Sequence, residues 1–577
     1  MQAAESISLT ETTKPYNDSR WRRFGPLGLL ALSLFALFYG LGHLPFLGPD
    51  EPRYAEVARE MYLSGDWITP RLADIPWFEK PALTYWLSAL GFKVFGVSEF
   101  SARIFITLLA LAGALLLAAF GRRVQSARFG YLSAAVLLTM AFWAGFARAA
   151  TFDLPLSVCL AAALFAFFLW EQSTDSEGDG ERQRDIYWHA FAAALGLALL
   201  AKGLVGLVLP AGIIGLYLLL TRRLRMLWRP KLLLLGGALM IAVAATWYGP
   251  MLMQHGRAFF DEFIIGHHFQ RYVSNKYKHP QPFYFFFGVT LLGSLPWTMW
   301  LAASGWRAAQ DRRALLTEPA ERLRLYLWLW TLVPLAFFSL SGSKLPGYIL
   351  PVFPALALLI GLELDRAWDS ARAPWAAWAT AGLWIALAAV GWLVGRKQAW
   401  FAPPVLTALA CLALFIALLY LALLLMRRLG AATLFLPVGM TLLIIFAVRL
   451  TLPAIAQRES LREFIHTVRQ LAFPGERAVF FINNHHSFDF YAPDMPLRDG
   501  KSELITAMHE DEIEAIMKER NASSLIVITP QRWSNGLVER YLPLGRLDFP
   551  KGDDHVAICS PGCGWVMMRV WLRKPNL

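Results

Sequence analysis

Acidic and basic residues follow directly after the first long apolar run of this chain. The stretch LGPDEPRYAEVAREMYLSGDWITPRLADIPWFEKPAL places Asp50 near its start, and Glu79 and Lys80 near its end. A carboxylate can act as a general base or orient an acceptor, and a lysine can bind a phosphate as a point charge. These residue types therefore indicate acid–base or phosphate chemistry close to a membrane surface.

Two aspartates stand in equivalent places. Asp50 follows an apolar run and is separated from Pro52 by one residue, and Asp153, in ARAATFDLPL, stands in the same relation to Pro155. We predict that both are catalytic and flank one substrate, one as a general base and the other as an orienting group. A helix-capping role would explain either residue alone, but the pair together favours function.

The segment DEPRYAEVAREMY is predicted to form a helix lying in the membrane interface. Tyr54, Val57, Ala58 and Met61 recur in it at helical spacing. Its other charged residues are expected only to solvate this helix, namely Glu51, Glu56, Arg59 and Glu60.

Cations form a second group on the same side of the membrane. Its members are Arg53, Lys80, Arg148, Lys202, Arg271 and Lys344. Lys202 interrupts the apolar run LGLALLAKGLVGLVLP, where an unpaired ammonium costs several kcal/mol, and a substrate phosphate suits it. Ion pairs with the outer acids are the alternative, which we expect for Arg148 and not for Lys202. Tyr348, in SGSKLPGY, can donate a hydrogen bond to the same phosphate.

Two adjacent histidines raise the possibility of a metal site. His267 and His268 lie in IIGHHFQRYVSNKYKHPQP, and together with Glu79 they can bind a divalent metal such as zinc. A histidine pair without a metal is the alternative.

The composition shows that these residues belong to a polytopic membrane protein. The 577 residues are 56% hydrophobic and 17% charged, the mean hydropathy is +0.44, and many apolar runs reach the roughly 20 residues that cross a bilayer. The net charge of +12 fits basic cytoplasmic loops. No basic run is interleaved with aromatic residues, so we expect no nucleic-acid partner.

Positive charge sets the predicted topology. The basic loops at 121–128, 222–231, 305–313 and 426–430 all face the cytoplasm if the short segment 82–97 does not cross. The remaining apolar runs then give about thirteen spans, at 26–46, 104–120, 130–147, 154–172, 188–203, 204–221, 232–254, 283–303, 324–341, 347–364, 375–394, 402–426 and 431–451. The basic tetrapeptide at 395–398 does not fit, because this topology places it outside.

The last part of the chain has a different pattern. ESLREFIHTVRQLA and DEIEAIMKER are amphipathic helices, and AVFFIN and SLIVIT are buried strands. We therefore predict a membrane domain over 1–451 and an outer, soluble α/β domain over 452–577. Cys559 and Cys563 can form a disulfide there, but the sequence does not decide whether they do.

Several of these landmarks resemble a known family. DEPRYAE after the first span, FEKPALTYWLSALGFKVFGVSEFSARI and ARAATFDLPL resemble membrane glycosyltransferases of the GT-C fold, which use a polyprenyl-phosphate sugar donor. Among these, the sequence is most similar to the lipid A aminoarabinose transferases, and SGSKLPGYILP adds to the resemblance.

The resemblance implies a function at the periplasmic face of the bacterial inner membrane. The expected reaction transfers 4-amino-4-deoxy-L-arabinose from undecaprenyl phosphate to lipid A phosphates with inversion, giving resistance to polymyxin and other cationic peptides. No cofactor is expected to be essential, and the protein is expected to be a monomer among membrane lipids. The resemblance assigns catalytic roles to Asp50 and Asp153, donor-phosphate contacts to Lys80, Arg271 and Tyr348, and cavity positions to Lys202, Arg53 and Tyr54.

Three other functions remain open at this point. A sister glycosyltransferase with another sugar or a protein acceptor would carry the same landmarks. A transporter would place its ionisable residues near the middle of the membrane and often shows internal repeats, neither of which the sequence displays. A non-catalytic binding protein with the same fold would show no turnover.

Overall fold

The computed structural model describes most of the membrane part and the regular elements of the C-terminal part. The described residues are 18–48, 50–173, 180–270, 281–370, 372–398, 401–471, 477–481, 487–496, 506–507, 510–520, 524–530, 556–558 and 565–571. Arg271, Cys559 and Cys563 lie outside them, as do the side chains of His267 and His268.

Long apolar helices make up most of the chain, as the composition predicts. Among the described residues, seven helices are long and apolar enough to cross a membrane, or up to eight if one bent pair counts as a span. The seven are Glu99–Val124, Asp153–Ser173, Pro230–Phe263, Pro346–Trp368, Trp375–Lys397, Pro403–Leu425 and Leu429–Ile455. The bent pair, Phe285–Gly293 and Thr298–Gln310, turns by 119°. The protein is therefore a mainly helical, multi-span membrane protein.

Each of the thirteen predicted spans contains helix in the structure. The other helices of the membrane part, apart from two on the outer side that are described below, are Asp18–Ser33, Ala127–Thr139, Ala141–Phe146, Gly180–Lys202, Val205–Leu220, Arg312–Thr317 and Arg322–Ser339. Shorter 3₁₀ or π segments are Leu34–Phe38, Leu224–Leu227, Phe260–Gln270, Pro319–Glu321 and Pro346–Val352. Several predicted spans are thus helical, but their helices are too short or not apolar enough to count as membrane-crossing by length and composition.

The segment 82–97 forms a helix of 13 residues, Leu83–Phe95. At 1.5 Å per residue it is about 20 Å long, which is less than the roughly 30 Å of a bilayer core. It packs closely against the next helix, because a side chain at Gly91 would collide with the carbonyl of Ser101. A capping box between Ser98 and Ser101 starts that next helix. A short hairpin, Arg71–Leu72 paired with Ile75–Pro76, precedes Leu83–Phe95.

The segment after the first apolar run is helical over Asp50–Ser64, which we call the outer helix. Tyr54, Val57, Ala58 and Met61 are all buried, so the predicted helical face is confirmed. They pack with Tyr85, Ala89 and Phe92 of Leu83–Phe95 and with Phe152.

The C-terminal part contains one mixed sheet. Its strand order is Thr506–Ala507, Ala478–Phe481, Ser524–Pro530, Trp565–Trp571 and Val556–Ile558. The first three strands in this order are parallel to one another. The fourth, Trp565–Trp571, is antiparallel to both of its neighbours. The helices Arg462–Leu471, Ser487–Tyr491 and Glu510–Glu519 accompany them. The predicted strands and helices are confirmed here, with Leu461, Phe464, Ile465 and Val468 buried in a small core.

This C-terminal part contacts the outer helix and its neighbours. The Tyr491 hydroxyl accepts a hydrogen bond from Phe46 N at 3.2 Å and donates to Glu99 at 3.1 Å. Arg462 pairs with Glu99 at 3.1 Å, and the ring of Phe490 meets that of Phe46 edge-on at 4.8 Å. On the outer helix itself, Arg59 donates to the Asp489 carbonyl at 3.4 Å, so protein covers this helix on more than one side.

The topology can be tested by cysteine labelling in a background without the four native cysteines. A cysteine at Val97, which is 43% exposed, should react with an impermeant maleimide added to intact spheroplasts. A cysteine at Arg123, at the other end of Glu99–Val124, should react only after permeabilisation. Labelling of Val97 only after permeabilisation would contradict the topology.

Candidate functional site

The first cluster of charges lies at the start of the outer helix. Asp50 and Glu51 occupy its first turn, where the helix dipole stabilises negative charge. Arg53 Nη2 donates to Asp50 Oδ1 at 2.6 Å, and the Asp50 side chain stays half exposed. A carboxylate with this exposure can still reach a bound substrate.

Glu79 connects this pair to Lys80. Lys80 Nζ donates to Glu79 Oε1 at 2.8 Å, and Arg53 Nη2 lies 3.6 Å from Glu79 Oε2. Burial lowers the pKa of the Arg53 guanidinium, but Glu79, followed by Tyr54 and Asp50, raises it above its ordinary value. Two cations and two carboxylates thus form one charge-balanced group.

The second cluster combines Asp153, Lys202 and Tyr348. Lys202 Nζ donates to Asp153 Oδ1, and the same nitrogen lies 4.6 Å from the centre of the Tyr348 ring. Asp153 begins one helix and Lys202 ends the next, so the two meet where these adjacent helices pack. Gly347 allows the approach, because any side chain there would collide with the Asp153 carboxylate. The expectation that Lys202 lacks an acidic partner is therefore wrong.

The expectation that Arg148 pairs with an outer acid is also wrong for the described residues. Arg148 is buried, and Nη1 donates to the Ala144 carbonyl at 2.7 Å. Its Nε and Nη2 find no partner among the described residues. Burial lowers the pKa of Arg148 to about 10. Among the described residues no carboxylate pairs with Arg148, so the ion pair expected from the sequence is not found there.

Phe152 joins the two clusters. It directly precedes Asp153, and its ring lies edge-on to those of Tyr54 at 4.8 Å and Tyr85 at 5.1 Å. Arg53 lies over the rings of Tyr54 and Trp77, at 5.4 and 5.6 Å. The structure thus brings the predicted residues Asp50, Arg53, Tyr54, Glu79, Lys80, Asp153, Lys202 and Tyr348 to one region.

The remaining cations are in different situations. Lys344 is buried and donates to the carbonyls of Gln281 at 3.1 Å and Ser341 at 2.7 Å. Arg271 lies outside the described residues.

No group of three possible metal-ligating side chains occurs among the described residues. Because the side chains of His267 and His268 are not described, the metal site with Glu79 stays a prediction.

Other charges of the outer helix are not solvated as expected. Glu51 and Glu56 are 5% and 1% exposed. Glu56 accepts two hydrogen bonds from Arg59, at 2.6 and 2.7 Å. Glu60 accepts from the backbone N–H groups of Ala73 at 2.6 Å and Asp74 at 3.0 Å. Glu56 and Glu51 are buried, and Glu60 is half-buried against the hairpin. Glu56 lies where the C-terminal part contacts the helix through Arg59 and Asp489, whereas Glu51 is enclosed by Arg103 and Ala150. The helix's own periodicity reveals none of these contacts.

Sequence reasoning missed four residues of this region. Glu51, Arg103, Tyr85 and Phe152 are buried there, and the first two form an ion pair. Tyr85 and Phe152 carry no spacing signal beyond that of ordinary core aromatics. Arg103 lies only a few residues after the segment 82–97, which was predicted not to cross the membrane, so its burial was not evident from the sequence.

Part of this sequence is similar to known glycosyltransferases. A family model described as dolichyl-phosphate-mannose-protein mannosyltransferase matches residues 79–248. The undecaprenyl phosphate-alpha-4-amino-4-deoxy-L-arabinose arabinosyl transferase of Erwinia tasmaniensis is 35% identical over 57% of this chain and 58% of its own length. A second transferase of that name, from Pseudomonas fluorescens, is 33% identical over 59% of this chain and 56% of its own length. The chain is similar to the aminoarabinose transferases. The matched part spans less than two thirds of either relative.

Solved structures extend the likeness to nearly the whole chain. The crystal structure of ArnT from Cupriavidus metallidurans bound to undecaprenyl phosphate superposes with a TM-score of 0.75, covering 96% of this chain and 98% of that one at 24% identity. The apo form gives a TM-score of 0.72. The fold is therefore that of ArnT, and the resemblance stated from the sequence is confirmed.

Glu56 predicts a pH dependence of stability. Burial raises its pKa from 4.5 to about 7, so the folded state holds this proton more tightly than the unfolded state does. The stability from this group is complete below pH 4.5 and is lost as the pH rises to about 7. The unfolding free energy of Glu56→Gln, measured relative to wild type, should therefore increase by about 2–3 kcal/mol as the pH rises from 5 to 8.

Thermal unfolding in detergent across this pH range measures the effect. Asp494→Asn is the control, because Asp494 pairs with Arg469 at an exposed position, and an exposed pair contributes so little that the difference from wild type should stay small throughout. A Glu56→Gln difference that is equally flat would show that Glu56 is ionised in the folded protein.

Proposed function

We propose that this protein transfers 4-amino-4-deoxy-L-arabinose from undecaprenyl phosphate to lipid A phosphates at the periplasmic face of the bacterial inner membrane. The names of its relatives support this donor and sugar. The product would carry fewer net negative charges, which would account for resistance to polymyxin and other cationic peptides.

One observation carries the proposal: both predicted acids begin helices and hold cations in a single region. Asp50 lies with Arg53, Glu79 and Lys80, and Asp153 lies with Lys202, joined through Phe152. A reaction between two lipids must take place at the membrane surface. Cations placed there stabilise the charge on a departing phosphate.

The reaction requires one bond to form and one to break. An oxygen of the lipid A phosphate attacks the anomeric carbon, and the bond from that carbon to the donor phosphate oxygen breaks with inversion. The electron pair leaves on undecaprenyl phosphate. The acceptor is already an anion, so Asp50 would orient it or hold the cationic amine of the sugar rather than remove a proton.

The donor phosphate would be bound by cations that are already in place. Lys80 and Arg53 share the carboxylate of Glu79, and a phosphate can take over part of these contacts. Lys202 and the Tyr348 hydroxyl would contact the same donor, together with Arg271. Bond breaking needs no metal in this scheme, and a divalent ion such as zinc at Glu79, His267 and His268 would have an ancillary role.

The proposed topology has thirteen spans and an outer soluble domain over 452–577. The contacts of Tyr491 and Arg462 with Phe46 and Glu99 support it, because the latter two residues lie close in the chain to the outer helix and to the segment 82–97. The catalytic region would thus face the periplasm, and the protein would work as a monomer among membrane lipids.

A related glycosyltransferase is the second candidate. The family model that covers Lys80, Asp153 and Lys202 is described for dolichyl-phosphate-mannose-protein mannosyltransferases. This observation favours a polyprenyl-phosphate donor without fixing the sugar or the acceptor, so a protein acceptor is the alternative outcome of the test below.

The function is tested by mass spectrometry of lipid A from a strain that lacks its own aminoarabinose transferase. Expression of wild type should add the mass of aminoarabinose to lipid A phosphates and raise resistance to polymyxin. Unmodified lipid A, in cells that accumulate the undecaprenyl-phosphate-linked aminosugar and contain the membrane-inserted protein, would contradict the proposal. A sugar found on periplasmic proteins instead would support the second candidate.

Asp50 is tested in purified protein with both lipid substrates. Asp50→Asn keeps the shape and removes the charge, so the rate should fall by ~10²–10⁴-fold. Asp50→Glu should restore little, because a displacement of about 1 Å can cost ~10²-fold. Asp494→Asn, which also removes the carboxylate of an exposed ion pair, should be silent. An Asp50→Asn rate equal to wild type would leave Asp50 with a structural role only.

A further inference from the structure

We propose that Glu51 is a positioning residue whose ion pair with Arg103 fixes Asp50 relative to Asp153. The catalytic consequence rests on the proposed function, but the positioning itself does not. The two acids are predicted to flank one substrate, so their relative placement decides whether a reacting geometry exists.

Glu51 uses its whole carboxylate for contacts within the protein. Oε1 accepts from Arg103 Nε at 2.7 Å and from Ala150 N at 2.9 Å. Oε2 accepts from Arg103 Nη2 at 2.8 Å and from Leu47 N at 3.2 Å. A carboxylate has about four acceptor sites, so little capacity remains for a substrate. Glu51 therefore acts through other residues and is not itself catalytic.

Arg103 extends the network to the chain that leaves the first apolar helix. It is fully buried and donates to the carbonyls of Leu41 at 3.3 Å, Leu44, and Pro45 at 3.1 Å. Its guanidinium also lies 5.1 Å from the ring centre of Phe46. One planar fork thus holds the segment 41–47 that leads into Asp50.

The same network holds the turn that leads into Asp153. In this turn, residues 147–152, the Ala150 N–H donates a hydrogen bond to Glu51 Oε1. One helical turn beyond Arg103, the Thr107 hydroxyl donates to the Ala147 carbonyl at 2.7 Å. Phe152 packs against Tyr54 of the outer helix. The start of the outer helix and the turn before Asp153 are therefore tied to one buried ion pair.

Loss of one partner would affect stability as well as geometry. An unpaired buried charge is strongly destabilising, so a single variant could lose activity only because it unfolds. The double variant Glu51→Gln with Arg103→Gln leaves no unpaired charge, and its amides cannot reproduce the full set of contacts that Arg103 makes to three carbonyls.

The chain also offers a matched control ion pair. Arg128 and Asp365 are buried at the end predicted to face the cytoplasm, where Arg128 Nε donates to Asp365 Oδ1 and Gln125 donates to Asp365 Oδ2 at 2.7 Å. Asp365→Asn should lower the thermal midpoint as Glu51→Gln does, without touching the outer face.

The first measurement is hydrogen–deuterium exchange of the full-length protein in detergent. In Glu51→Gln and in the double variant, the amides of Leu47 and Ala150 should exchange at least about tenfold faster than in wild type. Asp365→Asn should leave them unchanged. Equal exchange of these amides in wild type and the double variant would overturn the positioning role, whether or not the protein transfers aminoarabinose.

The second measurement is the rate with saturating donor and acceptor. The double variant should lose about 10²-fold in kcat, as expected for a displacement near 1 Å, with KM for both lipids within about twofold. Asp365→Asn should keep the wild-type kcat. A double variant with wild-type kcat, or an equal loss of kcat in Asp365→Asn, would contradict the proposal. A wild-type protein without transferase activity would instead contradict the proposed function and leave the exchange result to decide.

Discussion

Ion pairs between residues far apart in sequence hold the outer face of this protein together. Glu51 and Arg103 are separated by 52 positions, and Asp153 and Lys202 by 49. The Glu51–Arg103 pair is removed from water, and the Asp153–Lys202 pair is partly buried. Breaking a buried pair leaves a charge that the surroundings cannot solvate. The starts of two helices and the end of a third are therefore held at defined places relative to one another.

These pairs also explain how a region rich in charge can exist without a bound substrate. Arg53 and Lys80 share Glu79, and Lys202 holds Asp153. An anionic lipid phosphate would compete with carboxylates for cations that are already oriented, so little reorganisation would be needed when it binds. Arg148 differs, because no carboxylate of the described residues pairs with it and burial lowers its pKa.

The C-terminal part contributes to the same region by covering the outer helix. Arg59 Nη2 lies 3.4 Å from the Asp489 carbonyl, and Tyr491 contacts both Phe46 and Glu99. This cover removes Glu56 from water and raises its pKa to about 7. The geometry of the outer helix therefore depends on residues more than 400 positions away in the sequence.

Much of the architecture was determined by the sequence alone. Apolar run length defines membrane helices because a bilayer accepts only chains whose backbone polar groups bond internally. Helical spacing revealed the buried face of the outer helix, and an acid at the start of a helix after an apolar run marked Asp50 and Asp153. These signals are local. Both acids begin helices in the structure, and the predicted face of the outer helix is buried.

Only the tertiary structure decided which charges are paired. Lys202 appeared to need an external anion and has Asp153, whereas Arg148 appeared to have a partner and has none among the described residues. Glu51 and Glu56 appeared solvated and are buried. Coulomb energy in a low-dielectric interior depends on distance and burial. Both are set by how distant helices pack, and spacing along one helix contains no information about them.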